Sequence, residues 1–225
     1  MSKRKIIDLT HPIQTGMTTF YRHWHPQVEV SLMGQIDVEG RETRKMVLGT
    51  HTGTHIDAAS HFIRKGKSID MVSLENLIGM ADVINLAPCR PLEEISLATL
   101  RGKFNGNPPL PRVILRYDWS AHFDRPDFYS QSPFLSRDCC RWLIDNGIAL
   151  LGMDTPSPDN PSDNIDTKVD SPNHKMLLGG GVNLLEYLCN LDQITSVRVE
   201  LIALPLKIKD GDGAPARAIA IENVP

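Results

Sequence analysis

Three histidines and one aspartate fall within eleven consecutive positions of this chain, in His51-Thr52-Gly53-Thr54-His55-Ile56-Asp57-Ala58-Ala59-Ser60-His61. Neutral imidazole and carboxylate are ligands that zinc, manganese and similar divalent ions accept. His51 and His55 are four residues apart, a spacing that can converge on one ion from a helix face. Asp57 is two residues further on and lies off that face. A ligand set of His51, His55 and Asp57 therefore needs a turn or a strand end. Gly53, flanked by threonines, is compatible with such a turn. The competing reading is a set of structural imidazoles, each of which would need its own hydrogen-bond partner if buried. Three of them in register with a carboxylate favour a metal centre.

Several segments have the composition of strands that could carry such a site. They are Ile6–Leu9, Val28–Met33, Thr43–Leu48, Asp82–Leu86, Arg112–Tyr117, Ile148–Met153, Val199–Leu204 and Ala216–Ile221. Most are short, rich in Val, Ile and Leu, and bounded by Gly, Pro, Asn or Asp. The clearest helix runs from Arg137 to Asn146. Ser136 stands where an N-cap belongs, Asp138 suits the positive helix end, and Gly147 suits the position past the C-cap. Glu93–Leu100 and Leu184–Leu188 are weaker helix candidates. The prolines of Asn105-Gly-Asn-Pro-Pro-Leu-Pro make that stretch a loop. The expectation is one domain, residues 1–225, of mixed α+β class.

A chain of 225 residues can bury a core without disulfide staples. The formal net charge of -3 gives no global attraction for nucleic acid or an anionic membrane. The basic start Met-Ser-Lys-Arg-Lys is followed by two isoleucines and then Asp8, which interrupts any signal-peptide core. No segment approaches the length of a membrane span. Cys89, Cys139, Cys140 and Cys189 show no Cys-x-x-Cys spacing, and the adjacent pair cannot bridge without strain. A reduced, cytoplasmic protein is expected.

Other polar features read as structural. Asp154 ends an apolar strand before Thr-Pro-Ser-Pro and is expected to support a turn. Asp210-Gly211-Asp212-Gly213 lacks the remaining ligands of a calcium loop and is expected to turn the chain between two strands. Cys139 and Cys140 lie in the Arg137–Asn146 helix and are read as core residues. His23, Trp24 and His25 line a substrate entrance or form an exposed loop.

The His51–His61 segment resembles the signature of the cyclase family of metal-dependent hydrolases, which includes bacterial kynurenine formamidase and isatin hydrolase. Ile7-Asp8-Leu9-Thr10-His11-Pro12-Ile13 is similar to the family's opening strand. Leu115–Ser120 and Leu151–Ser157 resemble its central segments. Glu200–Lys207 and Gly213–Arg217 resemble its C-terminal strands. The resemblance spans nearly the whole chain and implies the family's swivelling β/β/α domain. It implies two divalent ions per chain, zinc in the first instance and manganese as the alternative. His51, His55 and Asp57 match the first site, with Asp57 bridging to the second. His174 and Glu186, twelve positions apart, match the second site, His61 the catalytic acid/base, and Phe20 an aromatic substrate contact.

Departures are Ala59 where the formamidases usually have proline, and Tyr21-Arg22-His23-Trp24-His25-Pro26 in place of a Pro-Gly-Asp stretch. Phe20 stands where tryptophan is usual. Without the resemblance His174 and Glu186 are unremarkable, and Glu186 reads as solvent-exposed. The implied activity is hydrolysis of an amide C–N bond in a small molecule, an aryl formamide such as N-formylkynurenine. Alternatives are a cyclic-amide hydrolase of the isatin type with a single manganese, and a metal-stabilised binding protein without turnover. The resemblance also implies a homodimer or higher homo-oligomer.

Overall fold

The short aliphatic runs pair into sheets in the computed structural model, which describes residues 3–163 and 165–224. Met1 and Ser2 of the basic start lie outside the described residues. In chain order the strands are β1 (Lys3–Asp8), β2 (Glu29–Gly34), β3 (Thr43–Val47), β4 (His55–Asp57), β5 (Ile78–Asn85) and β6 (Glu94–Ile95). They continue as β7 (Arg112–Arg116), β8 (Phe134–Leu135), β9 (Leu150–Met153), β10 (Asn183–Glu186), β11 (Arg198–Pro205) and β12 (Gly213–Val224). All eight expected strands form, with ends shifted by a few residues.

The main sheet runs β1-β12-β11-β5-β7-β9-β10-β4, and β4 also pairs back onto β12. That second pairing closes seven of the strands into a barrel-like ring and leaves β1 outside it. The length of β12 makes this closure feasible. Its Gly213–Pro215 end meets β4, while Ile219 to Val224 meet β1 along the same edge. The class is mixed α/β.

Strand alternation then sorts side chains to two sides of the wall. Ile56, Ala81, Ile114, Leu150, Leu185, Leu201 and Ala214 share one buried cluster, to which every strand of the ring contributes. This is the barrel interior. Ala216, Ala218 and Ala220 continue along β12 in that cluster, small side chains suited to a narrow space. Val113, Leu115, Leu151, Met153 and Leu184 face outward into a second cluster, beneath helices Arg137–Asp145 and Pro172–Gly179. The first of these helices is capped as expected. Ser136 accepts from the Cys139 N–H, and Gly147 takes φ +72°. Cys139 and Cys140 are buried there, and burial pushes both thiols up, as befits packing residues. Asp154 is buried and accepts the N–H groups of Tyr117 and Trp119, a supporting role.

Two helix expectations need correction. Leu184–Leu188 overlaps strand β10. Leu184 and Leu185 are buried on opposite faces of the wall, and an apolar run buried on both sides carries no period to separate helix from strand. Glu93–Leu100 divides into β6 and the start of helix Leu97–Lys103, with Ser96 capping that helix through the Thr99 N–H. Helix Pro172–Gly179 was not anticipated. Among the described residues no helix is long and apolar enough to cross a membrane.

Candidate metal centre

Strand β4 is the keystone of the ring, and its register builds the site. His55 and Asp57 are two residues apart on one face, while Ile56 between them points into the barrel. On β10, Glu186 pairs with His55, so its carboxylate joins the same face. Helix Pro172–Gly179 packs over this face and brings His174. The expectation that Glu186 is exposed is overturned: it is 3% exposed, in a fully buried strand.

The turn before β4 delivers His51. Gly53 adopts φ +57°, a left-handed conformation that suits glycine. Buried Thr52 accepts from the Gly49 N–H; buried Thr54 accepts from the His11 N–H and donates to the Tyr187 carbonyl. The motif's threonines therefore hold its loop. His61 follows on the single 3₁₀ turn Ala59–His61.

Hydrogen bonds aim the imidazoles. His55 donates from Nδ1 to the Gly53 carbonyl at 2.7 Å, which turns Nε2 toward Asp57 Oδ1 at 3.2 Å and Glu186 Oε2 at 3.6 Å. His174 Nδ1 meets Asp159 Oδ2 at 2.5 Å, which turns its Nε2 toward Glu186 Oε1 at 3.2 Å and Asp57 Oδ2 at 3.5 Å. His51 uses both nitrogens, Nδ1 to Asp57 Oδ1 at 2.6 Å and Nε2 to Asp212 Oδ2 at 2.9 Å. Asp212 Oδ2 also meets His61 Nδ1 at 3.2 Å.

A divalent ion fits this donor set. Asp57 Oδ2 and Glu186 Oε1 are buried without a hydrogen-bond partner, although imidazole nitrogens stand nearby. Buried carboxylate oxygens are normally satisfied, so orphaned ones facing imidazole nitrogens mark a place for a cation. Two groups of side chains bring ligand atoms within 4.8 Å of one another among the described residues. They are His51, Asp57 and His61, and His55, Asp57 and Glu186. Asp57 belongs to both.

The protein's own charges partly compensate one another. Burial works against ionised Asp57, but the charges of His51 and His61 hold its pKa well below the ordinary value. Burial pushes Glu186 up instead, against the pull of His174. Burial works against charged His51 as well, yet Asp57 and Asp212 push it up to about 10. The bonds from His51 and His61 hold Asp212 far below the usual range. His25, at the cavity wall, falls to about 4 through burial and the nearby His51, and stays neutral.

The group opens into a cavity of about 340 Å³, within the small-ligand range. Phe20, Trp24, His25, Phe62, Tyr129 and Tyr187 line it, with Ser132, Asn160 and Ile165. Phe20 meets Tyr129 and His25 edge-on, at ring-centroid distances of 5.6 and 5.5 Å. Of the His23-Trp24-His25 run, Trp24 and His25 line the cavity and His23 does not. Asp159 and Asp212 escaped the sequence reading as site residues. Their signals were a second aspartate beyond Asp154 and the Asp-Gly-Asp-Gly turn.

The family model described as putative cyclase matches residues 7–160. The chain belongs to the cyclase family. This cyclase-family chain is 32% identical over 225 residues to the kynurenine formamidase of Bacillus thuringiensis (strain Al Hakam), covering 97% of this chain and 98% of that protein. It is 34% identical over 218 residues to the kynurenine formamidase of Bordetella petrii, covering 96% and 94%. Among solved structures, isatin hydrolase A from Labrenzia aggregata bound to benzyl benzoate superposes with a TM-score of 0.86 at 28% identity. That match covers 97% of this cyclase-family chain and 93% of the other.

Proposed function

We propose that this chain hydrolyses the amide C–N bond of an aryl formamide such as N-formylkynurenine. Divalent ions are held by His51, His55, Asp57, His174 and Glu186, and His61 carries the proton. One observation bears most of the weight. Two imidazoles with Nδ1 tied off present Nε2 to buried carboxylates whose outer oxygens lack hydrogen-bond partners. Ions in such a site lower the pKa of water to ~7 and polarise a carbonyl.

The chain's own groups do the remainder. The Phe20, Tyr129 and Trp24 rings accept the aryl group and exclude water around it. His61 takes a proton from the attacking water and returns it to the departing nitrogen. The formyl carbon gains a C–O bond and loses its C–N bond, so R–NH–CHO and water give R–NH2 and formic acid. His25, neutral at the wall, adds no competing charge.

Three imidazoles with two carboxylates suit zinc, and two zinc ions per chain are our assignment; manganese accepts the same donors. The reading includes one swivelling β/β/α domain, a homodimer or higher homo-oligomer, and the cytoplasm. The four free cysteines support a reducing compartment.

The test is formate release from N-formylkynurenine, with isatin assayed beside it and metal measured on the same preparation. The expected result is two ions per chain, formate release that a chelator abolishes, and recovery on adding zinc. Ring opening of isatin without formamide turnover would move the reading to cyclic amides. Full metal with neither activity would leave a binding protein.

A further inference from the structure

The Asp210-Gly211-Asp212-Gly213 turn joins β11 to β12, yet the carboxylate of Asp212 is spent elsewhere. Its Oδ2 accepts from His51 Nε2 at 2.9 Å and from His61 Nδ1 at 3.2 Å. The two rings lie with centroids 3.9 Å apart. Unlike the buried carboxylates of the site, the Asp212 side chain is 42% exposed. A carboxylate that water can reach needs no imidazole to satisfy it, so these bonds serve the rings.

The backbone fixes this arrangement relative to the motif. The Ala58 N–H donates to the Asp212 carbonyl at 2.9 Å, and the Ser60 hydroxyl donates to the Gly211 carbonyl at 3.3 Å. Asp212 and the Ala59–His61 turn are thereby held as one unit. His61 is half-buried on that single turn, with the His51 ring tilted against it and the Phe62 ring edge-on. A 180° flip of the ring about Cβ–Cγ would put Cδ2 where Nδ1 stands and Cε1 where Nε2 stands, breaking the bond to Asp212. Asp212 selects one orientation: it holds Nδ1, and Nε2 makes no hydrogen bond among the described residues.

We infer that Asp212 is a positioning residue that aims His61 Nε2 at the bound substrate, a role that rests on reading His61 as the proton carrier.

Four variants at saturating metal test this, with ions per chain measured in each: His61→Ala, Asp212→Ala, Asp212→Asn, and the double His61→Ala/Asp212→Ala. His61→Ala is expected to keep its ions and lose on the order of three decades in kcat. Asp212→Ala is expected to keep its ions and its KM while kcat falls roughly 10- to 100-fold, the usual scale for an outer-shell partner. Asp212→Asn retains a carbonyl acceptor and should recover much of that loss. The double variant should be no slower than His61→Ala alone, because a ring that is gone cannot be misaimed. If Asp212→Ala slows the His61→Ala enzyme as much as it slows the parent, the carboxylate acts elsewhere and the inference fails. Loss of ions in Asp212→Ala, or a kcat equal to the parent's, overturns it too. A near-parental kcat in His61→Ala is a different failure, that of the proton-carrier reading itself.

Discussion

The two ends of the site are built on different principles. At the Glu186 end, each imidazole has its own fixed acceptor. His55 is tied to the Gly53 carbonyl, and His174 to the buried carboxylate of Asp159. At the other end, His51 and His61 share one oxygen of the half-exposed Asp212. An imidazole locked by a buried acceptor has one orientation and suits ligation, where geometry must not drift. Imidazoles that share a solvent-facing acceptor can readjust on that side. His51 is also tied to buried Asp57, whereas the His61 ring makes no other hydrogen bond among the described residues, which suits a group whose protonation changes in each cycle. Asp57 belongs to both ends, with Oδ1 beside His51 and His55 and Oδ2 beside His174.

The largest effect should therefore come from Asp57, where the two ends meet. In Asp57→Asn, the amide nitrogen replaces one carboxylate oxygen and cannot face a cation, and the residue's charge disappears. Ion content and turnover should fall together, with activity at the assay background even when zinc is in excess. Elemental analysis beside the formate assay measures both. A variant with two ions and parental turnover would make Asp57 a bystander and dissolve the comparison.

What the sequence made legible follows the same division. The His51–His61 end could be read because its ligating residue types are crowded into one segment. The expectation that His51, His55 and Asp57 need a turn or a strand end, not a helix, agrees with Gly53 at φ +57° and with β4. The Glu186 end could be read only through family resemblance. Leu184 and Leu185 are apolar on opposite faces, so no alternation exposed the segment as a strand, and Glu186 looked like a surface residue. Helix Pro172–Gly179 did carry local signals, Pro172 at its start and a run of glycines after it, but almost no amphipathic contrast. Asp159 and Asp212 were illegible for a topological reason. Asp212 reaches His51 because β12 closes the ring against β4, and Asp159 reaches His174 across the start of a helix that the reading did not contain. The eight strands were visible in composition; the closure that makes them a barrel was not.

A smaller effect, confined to the Glu186 end, should follow from Asp159→Asn. Asp159 accepts the N–H groups of Asn173 and His174 at the start of helix Pro172–Gly179, and also meets His174 Nδ1. The amide keeps one acceptor but loses the charge and the second oxygen. Affinity for one of the two ions should weaken roughly 10- to 100-fold, while the other is retained. Loss of part of the helix cap costs about 1 kcal/mol, which in a chain of this size lowers Tm by roughly 2–4 °C. Competition with a chelator of known affinity resolves the two ions. Equal weakening of both would show that the two ends are not independent, and unchanged binding would show that His174 does not need Asp159.

The smallest effect on the chemistry should appear at the Asp212 end, from Gly213→Ala. A methyl group there would lie 2.8 Å from His51 Cε1 and 2.8 Å from the Ile56 carbonyl oxygen. The imidazole can yield by a few tenths of an ångström, but the β4 backbone is paired on both edges and cannot yield as easily. Overpacking of this kind typically costs about 1–3 kcal/mol. Displacement of His51 by less than an ångström should cost a few-fold in activity, well short of the 100-fold that a full ångström can bring. The two costs separate experimentally, because thermal unfolding reports the strain and kcat at saturating zinc reports the displaced ring. A readjustable Asp212 end predicts that kcat falls several-fold while both ions stay bound. Loss of an ion from Gly213→Ala would mean that His51 is held as rigidly as His55 and His174, and the contrast between the two ends would not stand.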